Sequence, residues 1–226
     1  MRIPIEIIGQ IPLFTTLDDE ELTHIAMKTI ERHYERGESI LYEGDMGGSL
    51  YYLHTGLVKV FKTSTEGKEQ ILRLITGGYT FNDVAALDGG PNPASVAAIE
   101  PSIIYSIKST ELHALIKSRS EVADAVVQTL AGRLRHLVGL AQELSLHHVT
   151  ARVAKILLHE QEMLRHDPIS HRLTQQEIAS LAGTAREVVG RALKSLEMSG
   201  AIRVQQGHVT IINRKQLEMI VEGVVS

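Results

Sequence analysis

Ten of the eighteen glycines lie between Gly37 and Gly90, and short apolar runs separate them. These β-rich runs are Ser39–Tyr42, Leu50–Leu53, Leu57–Thr63, Gln70–Ile75 and Ser95–Ile99. Glycine-bearing turns at this spacing predict an all-β sandwich or barrel rather than alternating strands and helices. A flexible glycine-rich linker is the poorer interpretation, because the runs between the glycines are apolar.

A long helix is predicted after this β region. Ser118 and Glu121 have the spacing of a capping box, and no proline interrupts residues 118–167. Apolar residues then recur at steps of mostly three and four, at Val126, Leu130, Leu134, Leu137, Ala141 and Leu144. Such a seam favours pairing with a second copy as a short coiled coil. The alternative is one amphipathic helix that packs on the β region.

A break near His147 and His148 precedes a further predicted helix over Val149–Leu158. Two short helices follow, joined by Gly183, which supplies the left-handed conformation of a tight turn. The first begins at a capping box, Thr174 to Glu177.

The second short helix, from about Ala185 to Met198, has two distinct faces at 100° per residue. Its apolar face consists of Val188, Val189, Ala192, Leu193 and Leu196, and its polar face of Arg186, Glu187, Gly190, Arg191 and Lys194. Two helices around a glycine turn are typical of a helix-turn-helix, with Ala179 and Val189 at its packing positions. The runs Ala201–Val204 and His208–Ile212 flank Gln205-Gln206-Gly207 and predict a β-hairpin wing.

The charge distribution agrees with a nucleic-acid surface near the end of the chain. The net charge is −4, yet residues 172–215 contain seven basic and three acidic residues. Arginine can donate two hydrogen bonds to guanine, and glutamate can accept one from cytosine, so Arg186, Glu187 and Arg191 are predicted to read G·C pairs. The alternatives are a Thr184–Glu187 capping box and a solvated arginine face.

Composition restricts the other function classes. There is no cysteine, which excludes disulfides, thiolate metal sites and cysteine nucleophiles. The N-terminal segment carries Arg2 and Glu6 and does not resemble a signal peptide, and no apolar stretch approaches the roughly 18 residues of a membrane span, so we expect a cytoplasmic protein without a membrane partner. A metal-dependent enzyme on a β-barrel would need clustered His and Glu ligands, whereas the predicted β region between Gly37 and Ile99 contains His54 as its one histidine.

The chain resembles the Crp/Fnr family of transcription regulators, which includes the cyclic AMP receptor protein. The resemblance rests on short motifs along nearly the whole chain, at Pro12–Phe14, Gly37-Glu38, Glu43–Asp45, Gly56–Val60, Gly67, Val149–Arg152 and Arg186–Arg191. It implies an α+β chain with three parts: an N-terminal β-roll, akin to a cyclic-nucleotide-binding domain, over residues 1–117; a long dimerisation helix over 118–147; and a C-terminal winged helix-turn-helix over 148–226.

The resemblance also implies a homodimer that binds a palindromic, TGTGA-like DNA site and contacts RNA polymerase. On this basis Leu130, Leu134, Leu137, Ala141 and Leu144 form the dimer helix. Arg186, Glu187 and Arg191 would read bases, while Thr174, Gln176 and Lys194 would contact DNA phosphates.

The sequence departs from the family at the cyclic-nucleotide cassette, where it has Phe81-Asn82-Asp83 and then Asn92-Pro93-Ala94. Where cyclic-nucleotide members have an arginine for the cyclic phosphate, this chain has Asn92, and Pro93 removes a backbone donor. Burial of an unpaired phosphate is costly, so we expect an effector other than cyclic AMP. The predicted effector pocket consists of Phe81, Asp83, Asn92, Leu134, Leu137 and Val138.

Three alternatives for the signal remain open at this point. The apolar Leu137 and Val138 favour a small apolar or organic-acid effector. Haem is a second possibility, with His33, His54, His113 and His136 as candidate ligands, although Val84 stands where a haem-binding relative would place a histidine. DNA binding without any effector is the third. The iron–sulfur type of sensor is excluded because it requires cysteine.

Overall fold

A computed structural model describes residues 3–166, 172–205 and 208–223 of the chain. The chain divides into two compact units, Met1–Lys62 with Arg73–His136, and Thr63–Leu72 with Leu137–Ser226. The division falls inside the long helix, and the domain borders expected at residues 117 and 147 stay predictions.

Two four-stranded sheets form the β-roll. The strands are β1 Ile30–Tyr34, β2 Ser39–Leu41, β3 Ser49–Thr55, β4 Leu57–Thr63, β5 Glu69–Thr76, β6 Tyr79–Phe81, β7 Ser95–Ala98 and β8 Ser102–Lys108. The first sheet has the strand order β1-β8-β3-β6 and the second β2-β7-β4-β5. This roll confirms the fold predicted from the glycine spacing.

Strands β3 and β8 pair antiparallel. Their side chains alternate between the two faces of the sheet, so they contribute to two separate hydrophobic clusters. Leu53 opposes Ile104, and both belong to the cluster between the two sheets. Leu50 and Ile107 oppose each other on the other face and pack beneath helices. Strand β8 buries residues on both faces, so its sequence is mostly apolar and does not alternate. It is not among the β-rich runs predicted from the glycine spacing.

Four short helices accompany the roll: α1 Ile5–Gly9, α2 Asp19–Lys28, α3 Asp83–Asp88 and α4 Ser109–Ser118. The hydrophobic cluster that contains Leu50 and Ile107, here called the outer cluster, joins the apolar residues of these helices to the start of the long helix α5, Ser120–Leu146.

Two details of the predicted long helix are wrong. Ser118 does not cap α5 but ends α4, where its hydroxyl donates to the Leu115 carbonyl at 3.3 Å. Val126 does not belong to the exposed seam, because it is 8 % exposed and packs in the outer cluster. The neighbouring Val127 is exposed instead and continues the three-and-four stepping.

The second unit contains helices α6 Val149–His166, α7 Gln175–Ala182, α8 Arg186–Met198 and α9 Arg214–Val221. Strands β9 Ile202–Gln205 and β10 His208–Ile211 pair antiparallel, as predicted for the wing. The predicted turn residues Gln206 and Gly207 lie outside the described residues. The break between α5 and α6 falls at His147 and His148, as predicted. Among the described helices, none combines the length and apolarity that a membrane span requires.

Candidate DNA-reading surface and sensor site

The turn between α7 and α8 has the predicted packing. Ala179 and Val189 are fully buried, and Gly183 has a φ of 62°. A residue in this left-handed conformation has little steric cost only when it is glycine. The Thr184 amide donates to the Ala179 carbonyl at 3.0 Å and closes the turn.

The polar stripe of α8 faces solvent. Arg186, Glu187, Arg191 and Lys194 are exposed. The opposite face is buried in the core of the second unit through Val189, Ala192, Leu193 and Leu196. The apolar underside therefore fixes the rotation of α8 about its own axis, and the stripe points outward.

The predicted alternative role of Glu187 is wrong. The residue that caps α8 is Ala185, and no side chain makes a capping hydrogen bond there. Thr184 and Glu187 therefore do not form a capping box. Within the described parts of the chain, Arg186, Glu187 and Arg191 make no hydrogen bond or ion pair, so their polar groups are available to a ligand.

The N-terminus of α7 carries the capping box predicted from the sequence. The Thr174 hydroxyl accepts from the Glu177 amide at 3.2 Å, and the Glu177 carboxylate accepts from the Thr174 amide at 2.6 Å. Thr174 and Gln176 are both exposed. Since the hydroxyl acts as an acceptor in the cap, its own proton stays available for donation.

Arg152 and Glu197 link the elements that surround the polar face of α8. Arg152 donates to the Ala182 carbonyl at 2.8 Å and to the His147 carbonyl at 2.7 Å, so it joins the ends of α7 and α5. The Glu197 carboxylate accepts from the Val204 amide at 2.8 Å and holds the wing against α8. Arg152 was included in the sequence motif, whereas nothing in the sequence pattern singled out Glu197.

The residues of the predicted effector pocket differ in exposure. Phe81, Asp83 and Asn92 are buried in the first unit, at 1 %, 3 % and 4 % exposure. Leu134, Leu137 and Val138 are exposed on α5, at 64 %, 49 % and 60 %. A pocket formed from these six residues stays a prediction.

Asp83 is held by a buried cation that sequence reasoning missed. Its carboxylate forms an ion pair with the Arg133 guanidinium of α5 and accepts from the Thr80 hydroxyl at 3.1 Å. Arg133 also donates to the Thr80 carbonyl at 2.7 Å. Burial, followed by the nearby charge of Arg73, lowers the pKa of Arg133 to about 10, so the group is still a cation at neutral pH. No local sequence pattern pairs Asp83 with Arg133, because they lie fifty positions apart in the chain.

The backbone around Asp83 has an unusual conformation. Asn82 has a φ of 61° and is the one non-glycine residue with positive φ in the described chain. Its side-chain amide donates to the Ser49 carbonyl at 3.2 Å. Asparagine tolerates this region better than other residues with a Cβ, because its short amide can bond locally.

Asn92, which the family resemblance places at the phosphate-binding arginine, is a neutral group. Its side-chain amide donates to the Tyr42 carbonyl at 3.1 Å, and its backbone amide donates to the Asp45 carbonyl at 2.8 Å. Phe81 stacks on Tyr51 with ring centroids 5.2 Å apart. The Oδ1 of Asn92 is buried and has no hydrogen-bond partner among the described residues.

The seam residues of α5 are exposed in the single chain. Leu130 is 36 % exposed, Leu134 64 %, Leu137 49 % and Leu144 38 %, and Ala141 is also exposed. With Val127, they follow a heptad spacing of alternating three and four residues. An apolar row of this kind on a surface indicates an interaction face.

The four candidate haem histidines have different surroundings. His33 hydrogen-bonds Glu31 at 2.7 Å, and His54 lies 5.6 Å from the Tyr105 ring. His113 is half-buried on α4, and His136 is exposed on α5. Over residues 3–166, 172–205 and 208–223, no three His, Asp or Glu side chains are placed to hold a metal ion.

The fold and the exposed polar stripe of α8 define a class of protein: a DNA-binding transcription regulator with an N-terminal β-roll. The comparisons with known proteins agree. Residues 31–119 match the family model of the cyclic nucleotide-binding domain, and residues 151–220 match the Crp-like helix-turn-helix domain.

Relatives that match nearly the whole chain identify the family. The chain is 34 % identical to the cyclic AMP receptor protein of Thermus thermophilus, over 94 % of this chain and 97 % of that protein. It is 29 % identical to the CRP-like cAMP-activated global transcriptional regulator of Mycobacterium tuberculosis, with the same coverage. The solved structure of FixK2 from Bradyrhizobium japonicum matches with a TM-score of 0.74 and 25 % identity, over 85 % of this chain and 96 % of that one. The chain belongs to the Crp/Fnr family of transcription regulators.

The ion pair of Asp83 and Arg133 generates a prediction about stability. Asp83→Ala should lower the free energy of unfolding by about 3 kcal/mol, because it leaves a buried guanidinium without its carboxylate. The double variant Asp83→Ala with Arg133→Met should cost clearly less than the sum of the two single changes. Urea unfolding gives the free energy of unfolding of the wild type, the two single variants and the double variant. Arg135→Met, on an exposed position of the same helix, should change stability by no more than about 0.5 kcal/mol. Additive single costs would contradict the pairing.

Proposed function

We propose that this protein is a homodimeric regulator that reads a palindromic, TGTGA-like DNA site under the control of an effector other than cyclic AMP. The observation that carries the proposal is the exposed stripe of Arg186, Glu187 and Arg191 on a helix whose other face is buried. The family assignment supports sequence-specific DNA binding, and the stripe supplies residues for it.

The stripe suits the major groove. A guanidinium can donate to both O6 and N7 of guanine, and a carboxylate can accept from the cytosine amino group. Arg186 and Glu187 lie in the first turn of α8, the end that a recognition helix presents to base edges, and Arg191 lies about one turn further along. Adjacent G·C pairs are therefore the expected targets.

Phosphate contacts would position this helix on the duplex. Thr174 and Gln176 lie at the exposed N-terminus of α7, where the helix dipole favours an anion. Lys194 extends the exposed face of α8 and would contact a neighbouring phosphate. Such contacts fix the register but carry no base information themselves.

The seam of α5 supports a homodimer. Val127, Leu130, Leu134 and Leu137 form an exposed apolar row with coiled-coil spacing, and a second copy of the same helix would bury it. Two recognition helices related by a twofold axis would then meet half-sites about 34 Å apart, which gives a palindromic operator. A regulator of this class acts on the chromosome, so the cytoplasm and contact with RNA polymerase are expected.

The cassette supports an effector other than cyclic AMP. Cyclic AMP carries one phosphate charge, and here the cassette offers the neutral Asn92 beside Pro93, which has no amide proton. The one carboxylate of the cassette, Asp83, is engaged by Arg133 and Thr80. This differs from what the name of the Thermus thermophilus relative says of that protein.

The base-reading role can be tested at Arg186. Arg186→Ala should weaken binding to a site selected in vitro by about 1 to 3 kcal/mol and relax the preference at one G·C pair. Fluorescence anisotropy with the site and with each single-base variant measures both effects. Lys215→Ala removes an exposed charge from α9 and should leave base preference unchanged. Unchanged affinity and preference in Arg186→Ala would rule out the assigned role.

The dimer can be tested on the seam. Leu134→Glu should shift the native mass toward the monomer at micromolar concentration, because it places a charge in the apolar row of each copy. Arg135→Glu, at the next exposed position, should stay dimeric. Native mass spectrometry or sedimentation gives the answer, and a dimeric Leu134→Glu would refute the seam as the interface.

The effector proposal predicts insensitivity to cyclic AMP. Millimolar cyclic AMP should leave both the DNA affinity and the thermal unfolding temperature unchanged, because the cassette has no cation for the phosphate. The Thermus thermophilus cyclic AMP receptor protein, assayed in the same buffer, is the positive control. A marked shift in either quantity for this chain would overturn the proposal.

A further inference from the structure

A cleft of about 310 Å³ opens on the first unit next to the ion pair of Asp83 and Arg133. Strands β5 and β6 and helix α5 supply most of its wall, and Pro12 closes one side. Its polar lining consists of Arg73, Tyr79, Thr80, Gln128, Thr129, Arg133 and His136. Neither Asn92 nor Asp83 lines it, so the cleft is separate from the position where the family holds a cyclic phosphate.

One of the two guanidinium charges at this cleft is balanced. Arg133 is 22 % exposed and pairs with Asp83, which is 3 % exposed. Two of its nitrogens are engaged by Asp83 and Thr80, whereas its Nε is buried and has no hydrogen-bond partner among the described residues.

The second guanidinium charge is not balanced. Arg73 is half-buried on β5 and has the same parity as Ile71 and Ile75, so it occupies an inward-facing position between two buried side chains. In the described chain, no carboxylate lies within ion-pair distance of Arg73. Its guanidinium carbon lies 5.8 Å from the centre of the Tyr79 ring. Burial lowers the pKa of Arg73, as expected for a cation without a counter-charge.

We propose that this cleft binds the oxyanion group, a phosphate or a carboxylate, of a small effector, with Arg73 as its main partner. A half-buried cation that lacks a counter-ion is costly, and an anion beside Arg73 would remove that cost. The hydroxyl of Thr129 and the side-chain amide of Gln128 add donors beside the two cations. The inference rests on the proposed sensor function and names the chemical class of its effector.

The position of the cleft on α5 leaves the seam free. Thr129, Gly132 and His136 face the cleft, whereas Val127, Leu130 and Leu134 form the exposed row. At 100° per residue the two sets lie on largely opposite sides of the helix. Ligand in the cleft and a second copy on the seam would therefore contact the same helix without competing for its surface.

Calorimetric titration of the full chain with pyrophosphate and with citrate, at ionic strength held constant with sodium chloride, tests the proposal. The wild type should bind at least one of the two anions, and the anion that binds tells phosphate from carboxylate. Arg73→Gln should weaken that binding by about tenfold or more, since a charge-assisted contact is lost. Arg36→Gln removes an exposed arginine of the same unit and should change the affinity less than twofold.

Two outcomes would overturn the inference. One is that the wild type binds neither anion, and the other is that a folded Arg73→Gln binds as tightly as the wild type. Circular dichroism checks the fold of the variant, and Arg73→Lys, which retains the charge, should recover part of the affinity. The readout does not involve DNA, so loss of anion binding and loss of the proposed DNA reading are separate results.

Discussion

The burial of one aliphatic face of α8 is the constraint on which the DNA-reading surface depends. Val189, Leu193 and Leu196 are at most 2 % exposed and occupy the core that α6 and α7 also line. A helix anchored along one side cannot rotate about its axis without exposing that side to water, at a cost of about 2 kcal/mol for each large side chain. The orientation of Arg186 and Glu187 is therefore set by residues that never touch a ligand.

In the first unit, a buried ion pair determines which elements are held together. Asp83 is buried and needs a cation, and that cation is Arg133 on the long helix. The pair connects the cassette to α5 directly. Arg73, in contrast, has no carboxylate within ion-pair distance among the described residues.

Much of this arrangement follows from local sequence rules. Gly183, the Thr174–Glu177 cap and the two faces of α8 were predictable because each depends on neighbours within one or two helical turns. The Ser118 capping box and the seam position of Val126 were wrong, since the same local patterns also fit a helix end and a core contact. The pairing of Asp83 with Arg133 could not be predicted from spacing, because fifty residues and a change of element separate them.

The two hydrogen bonds of Arg152 have a mechanical consequence. The Arg152 guanidinium on α6 bonds the His147 carbonyl, just after α5, and the Ala182 carbonyl in the last turn of α7, so one side chain links the ends of three helices. Because both hydrogen bonds belong to this side chain, truncation of Arg152 would remove the two links together.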